Sequence, residues 1–99
     1  MSNRIFIDVN KVTNVVTNDS FFEITISDNY NSGEVLITEE QIPKTDIEAL
    51  QYLKDYGSDE STGVCDVIDA LLEYKYGVTI NGTHYSWEEI KHLFMGRQV

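Results

Sequence analysis

Hydrophobic positions in the first third of the chain recur every second residue. Ile5, Ile7 and Val9 alternate with Phe6 and Asp8; Phe22, Ile24 and Ile26 alternate with Glu23, Thr25 and Ser27; Val35 and Ile37 alternate with Glu34, Leu36 and Thr38. A period of two is that of a strand with one buried face. The segments between are turn-forming: Asn18-Asp19-Ser20, and the polar run from Asp28 to Gly33. Val12, Val15 and Val16 follow the first set among Thr and Asn, which predicts that the first strand meets a turn or bulge near Asn10-Lys11. Consecutive strands joined by short polar loops usually pair as neighbours, so this third predicts a three-stranded antiparallel meander.

After Glu39-Glu40-Gln41-Ile42-Pro43 the period changes from two to 3.6. Thr45 with Glu48 has the spacing of a capping box, and Ile47, Leu50, Leu53 and Tyr56 form the apolar stripe of a first helix that Gly57 would end. Ser58 to Gly63 reads as a short acidic connector. Val64, Val67, Ile68, Leu71 and Leu72 then predict a second helix running to Tyr76 and ending at Gly77. Asn81-Gly82 is the dipeptide of a type I′ turn, because both central residues need positive φ, and it joins Val78-Thr79-Ile80 to Thr83-His84-Tyr85. Ser86 with Glu89 is another capping box, with Tyr85 placed to staple onto Ile90. Trp87, Ile90 and Phe94 share one helical face beside Leu93, and Gly96 offers a left-handed stop. The whole is one α+β domain over residues 1–99: a three-stranded antiparallel meander followed by two helices, a β-hairpin and a C-terminal helix. A lone hairpin is marginal, so Val78–Tyr85 must join the sheet or pack on the helices.

Charge changes this picture from fold to function. The chain carries seventeen acids and seven bases, a formal net charge of −10 and a pI near 4.3, and fourteen of those acids but two of the bases lie between Asp19 and Glu73. So negative a segment repels nucleic acid and anionic membrane and attracts basic protein surfaces. Acidity of this kind also simply favours solubility. Cys65 is the single cysteine, which excludes an intramolecular disulfide and fits a reducing, cytoplasmic setting. MSNRIFIDVN has one basic residue and too short an apolar run to be expected to act as a signal peptide, and the sequence has no run of about 18 apolar residues.

Catalytic and metal-binding signatures are absent. His84, Glu88, His92 and Cys65 lack zinc-site spacing, and Glu88 with His92 is better read as a pair on a helix surface. Cys65 sits at a helix start, which lowers a thiol pKa, but Asp66 and the acids around it act the other way, so it reads as a structural thiol. No phosphate loop or nucleophile elbow occurs, no cofactor is implied, and Asn81-Gly82-Thr83 is a turn before it is a glycosylation acceptor. What stands out is Asp66, Asp69 and Glu73 at i, i+3 and i+7. Their axial separations are roughly 4.5 and 6 Å, close to the spacing of phosphates along a nucleic-acid strand. The bland reading is a solvated helix face. Asp55, Asp59 and Glu60 extend the stripe, and Tyr30, Tyr52, Tyr56, Tyr74 and Tyr76 lie in the first long loop and on or near the two helices.

In size, acidity and tyrosine content, and in the acids Glu39, Glu40, Asp55, Asp59, Glu60, Asp66, Asp69 and Glu73, the chain resembles the small phage-encoded inhibitors of bacterial defence, anti-CRISPR and anti-restriction proteins among them. Its last segment, NGTHYSWEEIKHLF, is similar to the strand–turn–helix endings of uncharacterised small bacterial and phage proteins. The first resemblance implies a non-enzymatic protein in the host cytoplasm. Its partner would be a protein with a basic surface, a nucleic-acid-binding enzyme or complex, with no direct contact to nucleic acid or membrane. The competing expectation is a small regulatory or adaptor domain, monomeric or dimeric, that binds through an apolar surface formed by the hairpin and the Trp87 helix. A third, an enzyme, calls for a deep pocket gathering His84, His92 or Cys65.

Overall fold

The computed structural model describes residues 5–13, 15–18 and 20–95. Gly96, expected to stop the last helix, and Asp19 of the first turn lie outside them. Strands β1 (Ile5–Thr13), β2 (Ser20–Ser27) and β3 (Ser32–Ile37) form the expected antiparallel meander. No bulge interrupts β1: the register with β2 runs unbroken from Phe6↔Ser27 to Thr13↔Ser20, so the polar pair Asn10-Lys11 continues the ladder. The β2–β3 turn is held by Asp28, whose Oδ1 accepts from the Tyr30 and Asn31 amides at 2.7 and 2.6 Å.

Strands β4 (Val78–Ile80) and β5 (Thr83–Tyr85) form the expected hairpin, with φ of 49° at Asn81 and 87° at Gly82, and they join the sheet. Joining is by parallel pairing of β4 with β1, giving a five-stranded mixed sheet in the order β3-β2-β1-β4-β5. The whole intervening chain serves as the crossover that a parallel pair requires. Asn81 secures the joint. Its amide donates to the Ile7 carbonyl at 2.8 Å and its Oδ1 accepts from the Val9 amide at 3.0 Å; its Nδ2 donates to Asp46 at 3.2 Å. The Tyr85 hydroxyl donates to the other oxygen of the Asp46 carboxylate at 2.7 Å. That bond comes first among the causes that push the Tyr85 hydroxyl pKa up.

The helical part departs from expectation at its ends. Helix α1 (Asp46–Tyr52) starts at Thr45, whose hydroxyl accepts from the Glu48 amide at 3.2 Å, but it does not stop at Gly57. It passes through a π-helical turn, Leu53–Gly57, into a single α-turn, α2 (Ser58–Glu60). Gly57 is buried and closely packed: a Cβ there would lie 3.1 Å from Val64 and 3.2 Å from Leu53. The expected connector 58–63 therefore shrinks to a corner at Ser61, which caps α3 (Thr62–Tyr74) by accepting from the Val64 amide at 3.3 Å. Helix α3 ends on Lys75 in the left-handed region (φ 57°), two residues before Gly77, because the Lys75 amide bonds back to Leu71. Gly77 instead clears the Tyr85 carbonyl, which a Cβ would approach to 2.6 Å. The last helix is two short pieces, α4 (Trp87–Ile90) and α5 (His92–Met95), turning at Lys91. Its Ser86–Glu89 capping box forms as expected, the Ser86 amide donating to Glu89 at 2.8 Å.

One core results. Ile5, Ile7, Ile24, Ile26, Val35, Ile37, Val78 and Ile80, all on one face of the sheet, meet Leu50 and Leu53, the Val64, Val67 and Leu71 stripe of α3, and Ile90. Leu72, expected in that stripe, is 39% exposed. No helix among the described residues is long and apolar enough to cross a membrane.

Candidate functional site

The outward side of α3 is set by the residues that point inward. With Val64, Val67, Ile68 and Leu71 buried, a period of 3.6 turns Asp66, Asp69 and Glu73 to solvent, and all three are exposed, with Leu72 between the last two. From Asp55 through Tyr74 the chain contains six acids and no Lys or Arg. Cys65 shows how close some of these are. Its thiol lies 3.8 Å from Asp69, and its pKa is pushed up first by the charge of Asp69, then by burial and the hydrogen bond to Asp69, then by Asp66 and Asp59. The charges of Asp69, Asp66 and Asp59 thus act on one sulfur in the same direction, against the helix N-terminus, and the thiol pKa lies above its ordinary value.

The remaining acids of the expected site are not all gathered here. Asp55 is paired with Lys54 at 2.6 Å. Glu60 acts on Tyr52, whose hydroxyl pKa is raised by burial first and by Glu60 second, and the Tyr52 ring lies 5.1 Å from that of Tyr56. Asp55 and Glu60 thus accompany a tyrosine pair on the α1 side of the corner. Glu39 and Glu40 are exposed on a 3-10 turn (Glu39–Gln41) beyond β3, whose own box closes when Gln41 accepts from the Thr38 amide at 2.9 Å. That turn is about 20 Å along the strand from Gly33, where α3 meets β3. Of the tyrosines, Tyr30, Tyr56 and Tyr74 are exposed, while Tyr52, Tyr76 and Tyr85 pack against the core.

A second acidic surface escaped the sequence reading. The sheet face turned away from the helices carries Asp8, Glu23 and Glu34, and the register sets them around one residue: Thr25 pairs with Asp8 on one side and Glu34 on the other, with Glu23 two residues along its own strand. Phe6 and Leu36, on the same face, are 41% and 57% exposed. The signal was present in the alternation itself, in the half of each strand that does not build the core.

The histidines make no shared site. His84 Nδ1 lies 3.4 Å from the Thr79 hydroxyl, and Glu88 pairs with Lys91 at 2.7 Å, three residues on, where His92 was the expected partner. Among the described residues no group of three or more His, Cys, Asp or Glu side chains is placed to hold a metal ion. A shallow groove of about 340 Å³ is lined by residues 25–27 and 32–34 together with Ser61, and none of His84, His92 and Cys65 lines it. No family model, no curated protein and no solved structure matches the chain.

Proposed function

We propose that this protein is a non-enzymatic inhibitor that occupies the basic channel of a nucleic-acid-binding protein, as an anti-CRISPR or other anti-defence factor does, in the cytoplasm of a bacterial host. The observation that carries the reading is the outward side of α3, where Asp66, Asp69 and Glu73 stand exposed at phosphate-like intervals beside Asp59, in a stretch without a single Lys or Arg. Like charges at i, i+3 and i+4 cost a helix a few tenths of a kcal/mol per pair. A cationic partner offsets that cost. The adaptor reading through the Trp87 helix draws less support, because Trp87, Leu93 and Phe94 pack on the core and the Trp87 and Phe94 rings stack on each other at 5.9 Å.

The test is capture of partners from a bacterial lysate at low and moderate salt. Retention of a nucleic-acid-binding enzyme at low salt, its displacement by DNA or RNA, and its loss with Asp66→Asn, Asp69→Asn and Glu73→Gln together are the expected results. A partner held equally well at both salt concentrations and by the triple variant would sink the reading.

A further inference from the structure

The uncovered side of the sheet is a surface the α3 reading leaves unused. The helices that enter the core, α1, α3, α4 and α5, pack on the opposite side, and no residue whose side chain alternates onto this face is fully buried. Its composition follows from the register. Strand β1 contributes Phe6, Asp8, Asn10 and Val12, β2 contributes Phe21, Glu23, Thr25 and Ser27, and β3 contributes Ser32, Glu34 and Leu36. None of these is a lysine or arginine, and among the described residues none pairs with the three carboxylates. Strands lie about 4.8 Å apart, so Asp8 and Glu34 stand about 10 Å from each other across Thr25, with Glu23 about 7 Å along β2. Phe6 and Leu36 flank this group at opposite corners, and Thr25, Ser27 and Ser32 add hydroxyl groups to the same face, at an end where a shallow groove continues past Ile26 and Gly33 to Ser61 on the helix side.

We propose that this sheet face docks a cationic, amphipathic segment of a partner protein, one that presents arginines to Asp8, Glu23 and Glu34 and apolar side chains to Phe6 and Leu36. Charge selects this occupant over the others. A second copy would set three carboxylates against the same three, and nucleic acid would meet the same repulsion. A single metal ion does not fit either, since the carboxylates diverge across three strands and converge on no point. A guanidinium answers both halves of the surface, because it binds carboxylates in a fork and lies flat on an aromatic ring such as Phe6. The face is independent of the α3 acids, which point away from the other side of the same sheet.

The experiment is an amide-resolved NMR titration of the intact protein with a synthetic helical peptide of arginine and leucine in an amphipathic repeat, and with hexa-arginine as the probe of charge alone. The amphipathic peptide should shift the amides around Phe6, Asp8, Thr25, Glu34 and Leu36 and bind more tightly than hexa-arginine. Leu36→Ser, at an exposed position, and Glu23→Gln with Glu34→Gln should each weaken it about tenfold, while Asp66→Asn, Asp69→Asn and Glu73→Gln should leave it unchanged. Unchanged amide spectra of the free variants verify that they fold. Shifts confined to α3, equal binding of hexa-arginine, or a concentration-dependent dimer that buries the sheet face would each overturn the proposal.

Discussion

Two acidic surfaces of this molecule are built in opposite ways. On α3 the charges follow one another along a single element, so their mutual repulsion is local, as is the effect of three of the region's acids on Cys65. On the sheet, Asp8, Glu23 and Glu34 come from three strands and meet only because β1, β2 and β3 pair in one register. The first surface needs only a helix to exist. The second needs the tertiary fold, and any change that shifts a strand by one residue would turn its carboxylates toward the core.

The largest effect on this pair of surfaces is expected at the joint between them. Gly63 in α3 lies so close to β3 that a Cβ would meet the Ser32 carbonyl oxygen, and a Cβ on Gly33 would meet the Val64 amide nitrogen. Gly63→Ala should therefore destabilise the protein by about 1–3 kcal/mol in urea unfolding, as overpacking does, and an unchanged midpoint would show that α3 is not seated on the sheet this way. A smaller loss, about 1–2 kcal/mol, is expected for Asn81→Ala, which removes the bonds to Val9 and Asp46 and places Ala at a positive φ. Because Asn81 bonds to β1 beside Phe6 and Asp8, this variant should perturb amides of the sheet face and leave those of α3 in place.

Neutralising the charges discriminates the two surfaces more finely. Asp66→Asn, Asp69→Asn and Glu73→Gln together should raise stability by a few tenths of a kcal/mol per like-charged pair at low salt, an increment that disappears at high salt. The smallest effect is local to Cys65. With Asp69→Asn its pKa should fall toward the ordinary thiol value, and its reaction with a disulfide reagent at mildly alkaline pH should quicken. A rate equal to that of the parent protein would separate Asp69 from the thiol. Asp8→Asn, remote on the sheet, should not alter that rate.

Much of the architecture was legible in the sequence because local chemistry and tertiary need agree there. The alternation of Ile24 and Ile26 with Thr25 and Ser27, the Asn81-Gly82 turn and the Ser86–Glu89 box all carry their meaning within a few residues. What was not legible depends on distant contacts. Gly57 reads as a helix stop but lies inside a continuing helical path, packed close to Val64, Lys75 takes the left-handed position expected of Gly77, and nothing in Val78-Thr79-Ile80 announces a parallel partner seventy residues earlier in β1. The candidate site divides the same way. The i, i+3, i+7 spacing exposes Asp66, Asp69 and Glu73 to inspection, whereas Asp55 turns out to be paired with Lys54 and the sheet acids emerge only with the register.

That parallel partner also sets an order on the birth of the protein. β1 is made well before β4, so one of its two edges has no neighbour until Val78–Ile80 has followed it. While the residues between the two strands are being made the nascent chain therefore displays an open edge with Ile5, Phe6 and Ile7 along it, a template for pairing with the wrong strand. The hairpin closes it, with Asn81 fastening the Ile7 and Val9 backbone, so a ribosome that stalls before the hairpin releases a chain whose sheet is still unsealed.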